Sequence, residues 1–112
     1  MYLQIWNMST KASLQQIRGH NGGIWALQYR GNLLVTGSCD KTIRVWDMRT
    51  GETVHELVGH SSTVRCLQLH KEEKNLLVSG SRDKTLRVWQ LDTGVCRYTL
   101  SVCETRFFFF FR

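Results

Sequence analysis

Apolar and polar residues alternate along most of this chain in short runs, each closed by residues that favour turns. Period-two alternation over such lengths reads as β-strand, because successive side chains of an extended chain point to opposite faces. The pattern predicts strands at about 24–30, 33–38, 42–48 and 53–58, and again at about 63–70, 76–81, 85–91 and 95–100. In the third of these, Ile43 and Val45 point one way while Thr42, Arg44 and Trp46 point the other. A strand with large apolar groups on both sides is covered on both sides, as in stacked sheets. The segments Ser38-Cys39-Asp40-Lys41-Thr42 and Ser81-Arg82-Asp83-Lys84-Thr85 supply the Asp and polar groups of tight turns.

The two sets of strands are one sentence written twice. VTGSCDKTIRVWD at 35–47 returns as VSGSRDKTLRVWQ at 78–90. Gly19-His20 returns forty residues on as Gly59-His60, whereas Asn32-Leu33-Leu34-Val35 returns forty-three residues on as Asn75-Leu76-Leu77-Val78. Three residues are therefore inserted near His70-Lys71-Glu72-Glu73-Lys74, and a polar insertion between two apolar runs predicts a surface loop. The beginning of the chain enters in the middle of a unit, since YLQIWNM at 2–8 aligns with TIRVWDM at 42–48.

Gly-His, about 25 residues, then Ser/Thr-Gly-Ser-x-Asp-x-Thr-Ile/Leu-Arg-Val-Trp-Asp resembles the WD-repeat pattern, and the likeness covers residues 2 to about 100. Only Trp46-Asp47 carries the dipeptide literally; Trp6-Asn7 and Trp89-Gln90 depart from it. The resemblance implies an all-β fold, a partial WD-repeat β-propeller with two full four-stranded blades and half a blade. Residues 1–19 would be the second half of one blade, 20–60 and 61–100 a blade each, and 101–112 a tail outside the propeller. That tail, SVCETRFFFFFR, has five consecutive phenylalanines with no period and no turn chemistry. It is expected to be a truncation artefact rather than a hydrophobic anchor, and an aggregation hazard when exposed. Propellers close with about four to eight blades, so the chain is expected to be a fragment.

The resemblance also implies a hydrogen-bonded structural set in each blade. It would join His20, Asp40, Trp46 and Thr36 in the first, and His60, Asp83, Trp89 and Ser79 in the second, with Ser38 and Ser81 as rival hydroxyls. A His, an Asp and a Ser suggest a hydrolase triad on paper. Repetition in consecutive units argues for architecture instead, because catalysis needs one site. No Gly-rich phosphate loop, metal cluster or isolated nucleophile points to an enzyme, and no cofactor is expected.

Composition narrows the partners. The net charge of +6, from 15 basic and 9 acidic residues, favours an anionic partner. No block of like charges and no basic stripe interleaved with aromatics suggests nucleic acid, since Lys41, Arg44, Lys84 and Arg87 recur as outer polar positions of the repeat. No run of about 18 apolar residues suggests a membrane span, and the first residues lack the pattern of a secretory signal. Cys39, Cys66, Cys96 and Cys103 show no paired spacing, which predicts a reduced chain of the nucleus or cytoplasm, without disulfides or zinc. His55 and His70 lie outside the repeat pattern and read as ordinary strand-end residues.

The positions where the units differ carry the functional signal. Arg65 stands near the start of the innermost strand of the second unit and Arg82 in the loop after its second strand, where the first unit has Trp25 and Cys39. Both arginines are expected on one face near the channel mouth, with Arg87 at the surface. Paired guanidinium groups chelate phosphate oxygens, and an indole offers a flat apolar wall; the plainer reading is two solvated arginines. The stretches GHNGGIWALQ, GHSSTVRCLQLH and SGSRDKTLRVW are similar to the F-box/WD-repeat receptors of cullin-type (SCF) ubiquitin ligases, in the branch that reads phosphorylated degrons. That resemblance implies phosphate contacts from Arg65 and Arg82, a pocket wall from Trp25, and Ser62 and Thr63 beside it. Cys39 departs from the small polar residue expected there. The implied partners are phosphorylated protein substrates; the SCF adaptor would be reached only through an F-box, which nothing before Gly19 supplies.

Overall fold

The computed structural model describes residues 2–7 and 10–101, and every regular element among them is a strand. A two-stranded sheet joins β1 (Tyr2–Asn7) to β2 (Ala12–Arg18). A four-stranded antiparallel sheet, the first full blade, runs β3 (Ile24–Arg30), β4 (Leu33–Ser38), β5 (Thr42–Asp47) and β6 (Glu52–Val58) in chain order. The second blade repeats it with β7 (Val64–Leu69), β8 (Leu76–Ser81), β9 (Thr85–Gln90) and β10 (Val95–Ser101). The strands lie within a residue of the ends read from the alternation. The phenylalanine run at 107–111 lies outside the described residues.

Local chemistry sets the turns. Asp40 Oδ1 accepts from the Thr42 amide at 2.9 Å, and Asp83 Oδ1 accepts from the Thr85 amide at 2.9 Å, closing the β4–β5 and β8–β9 hairpins. Lys41 and Lys84 take left-handed backbone angles there, with φ of 77° and 68°. The β5–β6 and β9–β10 turns use Gly51 and Gly94 at φ of 75° and 74°, and their amides donate to the Asp47 and Gln90 carbonyls at 2.8 Å. Those bonds use backbone oxygens, so the turn survives when Gln90 stands where the first unit has Asp47. The Asp47 side chain instead pairs with exposed Arg49 at 3.1 Å.

The main core lies between the blades. Val35, Ile43, Val45 and Leu57 on one face of the first blade pack against Val64, Leu67, Leu69, Leu77, Trp89 and Leu91 of the second. On the opposite face of the first blade, Leu34 and Trp46 are covered by Leu3 and Met48. The outer face of the second blade has no such cover among the described residues. Val78, Leu86 and Val88, which repeat the buried Val35, Ile43 and Val45, are only half-buried. Leu100, which repeats Leu57, is 54% exposed against 1%.

The inserted loop and the two outlying histidines join the blades more closely than the alternation suggests. Residues 71–75 are exposed, as a surface loop requires, but Arg30 at the end of β3 donates to the His70 and Lys74 carbonyls across the interface. His70 Nδ1 accepts from the Glu72 and Glu73 amides at 3.1 and 2.9 Å and so shapes the loop. His55 is not at a strand end: it sits within β6, and its Nε2 donates to the Asp92 carbonyl of the second blade at 3.1 Å.

Candidate functional site

Each blade carries a buried polar chain beneath its loop face. His20 Nδ1 donates to Asp40 Oδ2 at 3.0 Å, Thr36 Oγ1 donates to His20 Nε2 at 2.6 Å, and Trp46 Nε1 donates to Thr36 Oγ1 at 2.9 Å. The second blade repeats it through His60 and Asp83 at 2.9 Å, Ser79 and His60 at 2.7 Å, and Trp89 and Ser79 at 2.8 Å. Ser38 and Ser81, the rival hydroxyls, instead accept from the Asp40 and Asp83 amides. The buried polar side chains of each set thus satisfy one another, which is the condition for burying them. Gly19 and Gly59 precede the histidines because the tryptophan rings pass close by; a Cβ at Gly19 would lie 2.4 Å from the Trp46 ring.

The electrostatics follow from this geometry. Burial works to raise the Asp83 carboxyl, but hydrogen bonds from Thr85, Ser61 and His60 outweigh it and hold it down to about 2. The same contest, with Thr42, His20 and Asn21 as donors, leaves Asp40 well below the ordinary carboxylate range. Burial lowers His60 below its ordinary 6.5 against the pull of Asp83, so the ring is neutral at neutral pH. An unfolded chain takes up a proton at this histidine before the folded one does. Stability is therefore complete above 6.5 and falls as the pH drops below it. The carboxylates act in the same direction lower down, and the Asp83 contribution is lost between 3.8 and about 2. The urea midpoint should hold steady near pH 8, decline from pH 7 to 5, and decline again below pH 4. A midpoint that climbs between pH 7 and 5 would contradict this assignment.

The set is closed to substrates. Ser79 has no exposed surface and its oxygen already accepts from Trp89, so it cannot meet a scissile bond. Cys66 is no nucleophile either, because burial pushes its thiol up to about 11.

At the loop end of the same strands the structure builds a different arrangement. The pairing of β7 with β8 runs Val64 to Ser81 and then Cys66 to Gly80, which leaves Arg65 as the extra residue of a β-bulge. The pairing of β3 with β4 skips Trp25 in the same way, between Ile24 and Ala26. A bulge re-aims the side chain of its extra residue. Both side chains are exposed here, and they meet: the Arg65 Cζ lies 5.6 Å from the centre of the Trp25 ring. Arg82 is exposed immediately beyond the Val64–Ser81 pair, and its amide donates to the Thr63 carbonyl at 3.0 Å. Ser62 and Thr63 are half-buried beside it, and the Ser62 carbonyl accepts from Ser81 Oγ at 3.1 Å. Cys39 makes the equivalent backbone bond in the first blade, to the Gly23 carbonyl at 2.9 Å. Among the described residues no carboxylate forms an ion pair with Arg65 or Arg82. An exposed cation–π contact is worth only about 0.5–1 kcal/mol, so the stacking orients Arg65 without consuming its charge.

Arg87 corrects the reading from sequence. It is not a free surface group but half-buried, with its Cζ 5.9 Å from the Trp89 ring. Arg44 covers Trp46 in the same way at 5.8 Å and reaches Glu56 at 3.4 Å. The signal was present in the strand itself: arginine and tryptophan two residues apart share one face. The bulges had no such signal.

Among the described residues no group of His, Cys, Asp and Glu is placed to hold a metal ion. No helix of these residues is long and apolar enough to cross a membrane.

Known proteins resemble this chain in sequence and fold. The sequence is 49% identical over 68 residues to cell division control protein 4 of Saccharomyces cerevisiae, covering 60% of this chain and 9% of that protein. It is 43% identical over 67 residues to WD repeat-containing protein pop2 of Schizosaccharomyces pombe, covering 60% of this chain and 10% of that protein. The matched part thus spans no more than about a tenth of either relative. Among solved structures, the computationally designed Ika8 protein superposes with a TM-score of 0.75 at 38% identity, over 83% of this chain and 28% of that one. The designed Ika4 protein gives 0.64 at 40% identity, over 71% and 48%. The model of the WD domain, G-beta repeat, matches residues 11–47 and 51–90. The chain belongs to the WD domain, G-beta repeat family, folded as two full propeller blades and half of another.

Proposed function

We propose that these blades form part of a substrate receptor that binds a phosphorylated degron motif and presents its owner for ubiquitylation by an SCF-type ligase. The observation that carries this reading is the stacking of exposed Arg65 on exposed Trp25, with Arg82 beside Thr63 and, among the described residues, no carboxylate paired with either cation. The two guanidinium groups take the phosphate, the indole walls an apolar neighbour, and Ser62 and Thr63 offer further donors at the edge. The receptor has no catalytic residue, and ubiquitin is transferred by partner enzymes that an F-box elsewhere would recruit. It works in the nucleus or cytoplasm, and neither a membrane nor nucleic acid is its target. Arg44 and Arg87 cannot extend a basic stripe toward nucleic acid, because both lie against buried tryptophans.

Titrating a fluorescent phosphothreonine peptide with an apolar flanking residue, against its unphosphorylated twin, tests this reading. Weak binding is expected of this chain by itself, so the titration uses both this chain and a version extended by further blades. Arg65→Ala and Arg82→Ala should each weaken phosphopeptide binding about ten- to hundredfold, the scale of one lost charge-assisted contact, and leave the twin unchanged. Equal affinity for both peptides would favour the other reading, a WD-repeat scaffold that binds proteins without reading phosphate.

A further inference from the structure

At the end of β7 away from Arg65, the two full blades are joined by a loop that depends on one imidazole. The first unit passes from β3 into β4 through Gly31 and Asn32 alone, whereas the second uses residues 70–75 to pass from β7 into β8. The connection itself therefore needs none of the extra chain. Residues 71–75 are exposed, so apolar burial does not fix their course. Hydrogen bonds do. The His70 amide donates to the Leu76 carbonyl at 3.0 Å, and the Leu76 amide donates to the Glu73 carbonyl at 3.1 Å. His70 Nδ1 accepts from the Glu72 and Glu73 amides together. The carbonyls placed by this loop, those of His70 and Lys74, accept from the Arg30 guanidinium of the first blade. Among the described residues Arg30 forms no ion pair, so its hold on the second blade rests on the course of the loop.

We infer that this loop is a proton-operated latch between the blades, closed while His70 is neutral and opened when its ring is protonated. A neutral imidazole keeps one ring nitrogen that can accept a hydrogen bond, and an imidazolium keeps none. Protonation at Nδ1 removes the acceptor of two amides at once and turns a third N–H toward them. Turning the ring over restores nothing, because both nitrogens then donate. The loop relaxes, and the His70 and Lys74 carbonyls leave Arg30. Charge works in the same direction, since the new cation arises on the residue whose carbonyl holds the Arg30 guanidinium. Of the strands packed on β7, β3 brings Arg30 and Tyr29, while β4 and β8 bring no titratable group. The segment after β9, tied to the loop by the Leu91 amide and the Asn75 carbonyl at 2.7 Å, adds Asp92. The loop itself adds Lys71, Glu72, Glu73 and Lys74, all exposed, so solvent screens the two carboxylates that oppose the new charge. The latch lies apart from Arg65 and Arg82 and does not depend on the phosphate reading.

Nuclear magnetic resonance of the whole isotopically labelled chain, titrated between about pH 8 and 5, tests this over the range in which imidazoles charge. The His70 ring, the Glu72 and Glu73 amides and the Arg30 guanidinium should shift with one midpoint. Corrected for intrinsic rates, the two amides should exchange with solvent about tenfold faster at the acid end, the scale of one lost hydrogen bond. His70→Asn puts a carbonyl oxygen near the place of Nδ1, an acceptor that does not titrate. It should keep Arg30 on the loop and remove the pH dependence of the two amides. His70→Ala should leave those amides in fast exchange at both ends of the range. Amides or a guanidinium that ignore the His70 titration, or a pH dependence that persists in His70→Asn, would overturn the proposal. Amides of β4 and β5 that accelerate together with those of Glu72 and Glu73 would also overturn it, by showing unfolding of the blade rather than of the loop.

Discussion

Asp83→Ala is expected to lower the unfolding free energy by about 3–5 kcal/mol, measured by urea denaturation at pH 7. Four donors converge on this carboxylate: His60 Nδ1, the Ser61 and Thr85 amides, and the Thr85 hydroxyl at 2.6 Å. Removing the acceptor orphans them together, and each buried donor left without a partner costs about 1–3 kcal/mol. Water reaches the exposed side of the site and relieves part of that, which keeps the sum below the simple total. The loss also spreads, because a His60 that is no longer oriented by Asp83 holds Ser79, and through it Trp89, less firmly. Asp92→Ala, at an exposed turn, should change stability by less than about 0.5 kcal/mol. An Asp83→Ala effect as small as that of Asp92→Ala would show that the polar chain contributes little to the fold.

Leu57→Ala should cost about 2–5 kcal/mol, while the same change at the matching position of the other blade, Leu100→Ala, should stay within about 0.5 kcal/mol. The two leucines occupy equivalent places in β6 and β10, so propensity and strand position are held constant. What differs is burial: Leu57 lies in the core between the blades, and Leu100 faces outward. Parallel urea titrations of the two variants read the blade interface directly. Comparable losses would mean that the outer face of the second blade is covered in solution. A negligible loss at Leu57 would mean that the two blades do not pack as described.

The strands, their turns and the polar sets were legible because each is a local or repeated property of the chain. Alternation places Ile43 and Val45 on one face, Asp40 closes its own hairpin, and repetition marks His20 and His60 as architecture rather than chemistry. Arg65 and Arg82 stood out for the opposite reason, as departures from the repeat. Less of the surroundings of these arginines could be read. Nothing in IWALQ or VRCLQ announces a bulge, yet the bulges at Trp25 and Arg65 bring an indole and a guanidinium from neighbouring blades into contact. Arg87 has the composition of a surface residue and was read as one, although its place two residues from Trp89 puts both on one face.

Sequence by itself determined the blade: its four strands, its turns, and the hydrogen-bonded His, Asp, hydroxyl and Trp that brace it. These depend on side-chain periodicity and on short-range chemistry, which every unit repeats. Only the tertiary structure decided what each copy of a repeated residue meets. Leu57 is buried and Leu100 exposed, and Leu69 is covered where Tyr29 is open, because burial depends on the neighbouring sheet rather than on the residue's own strand.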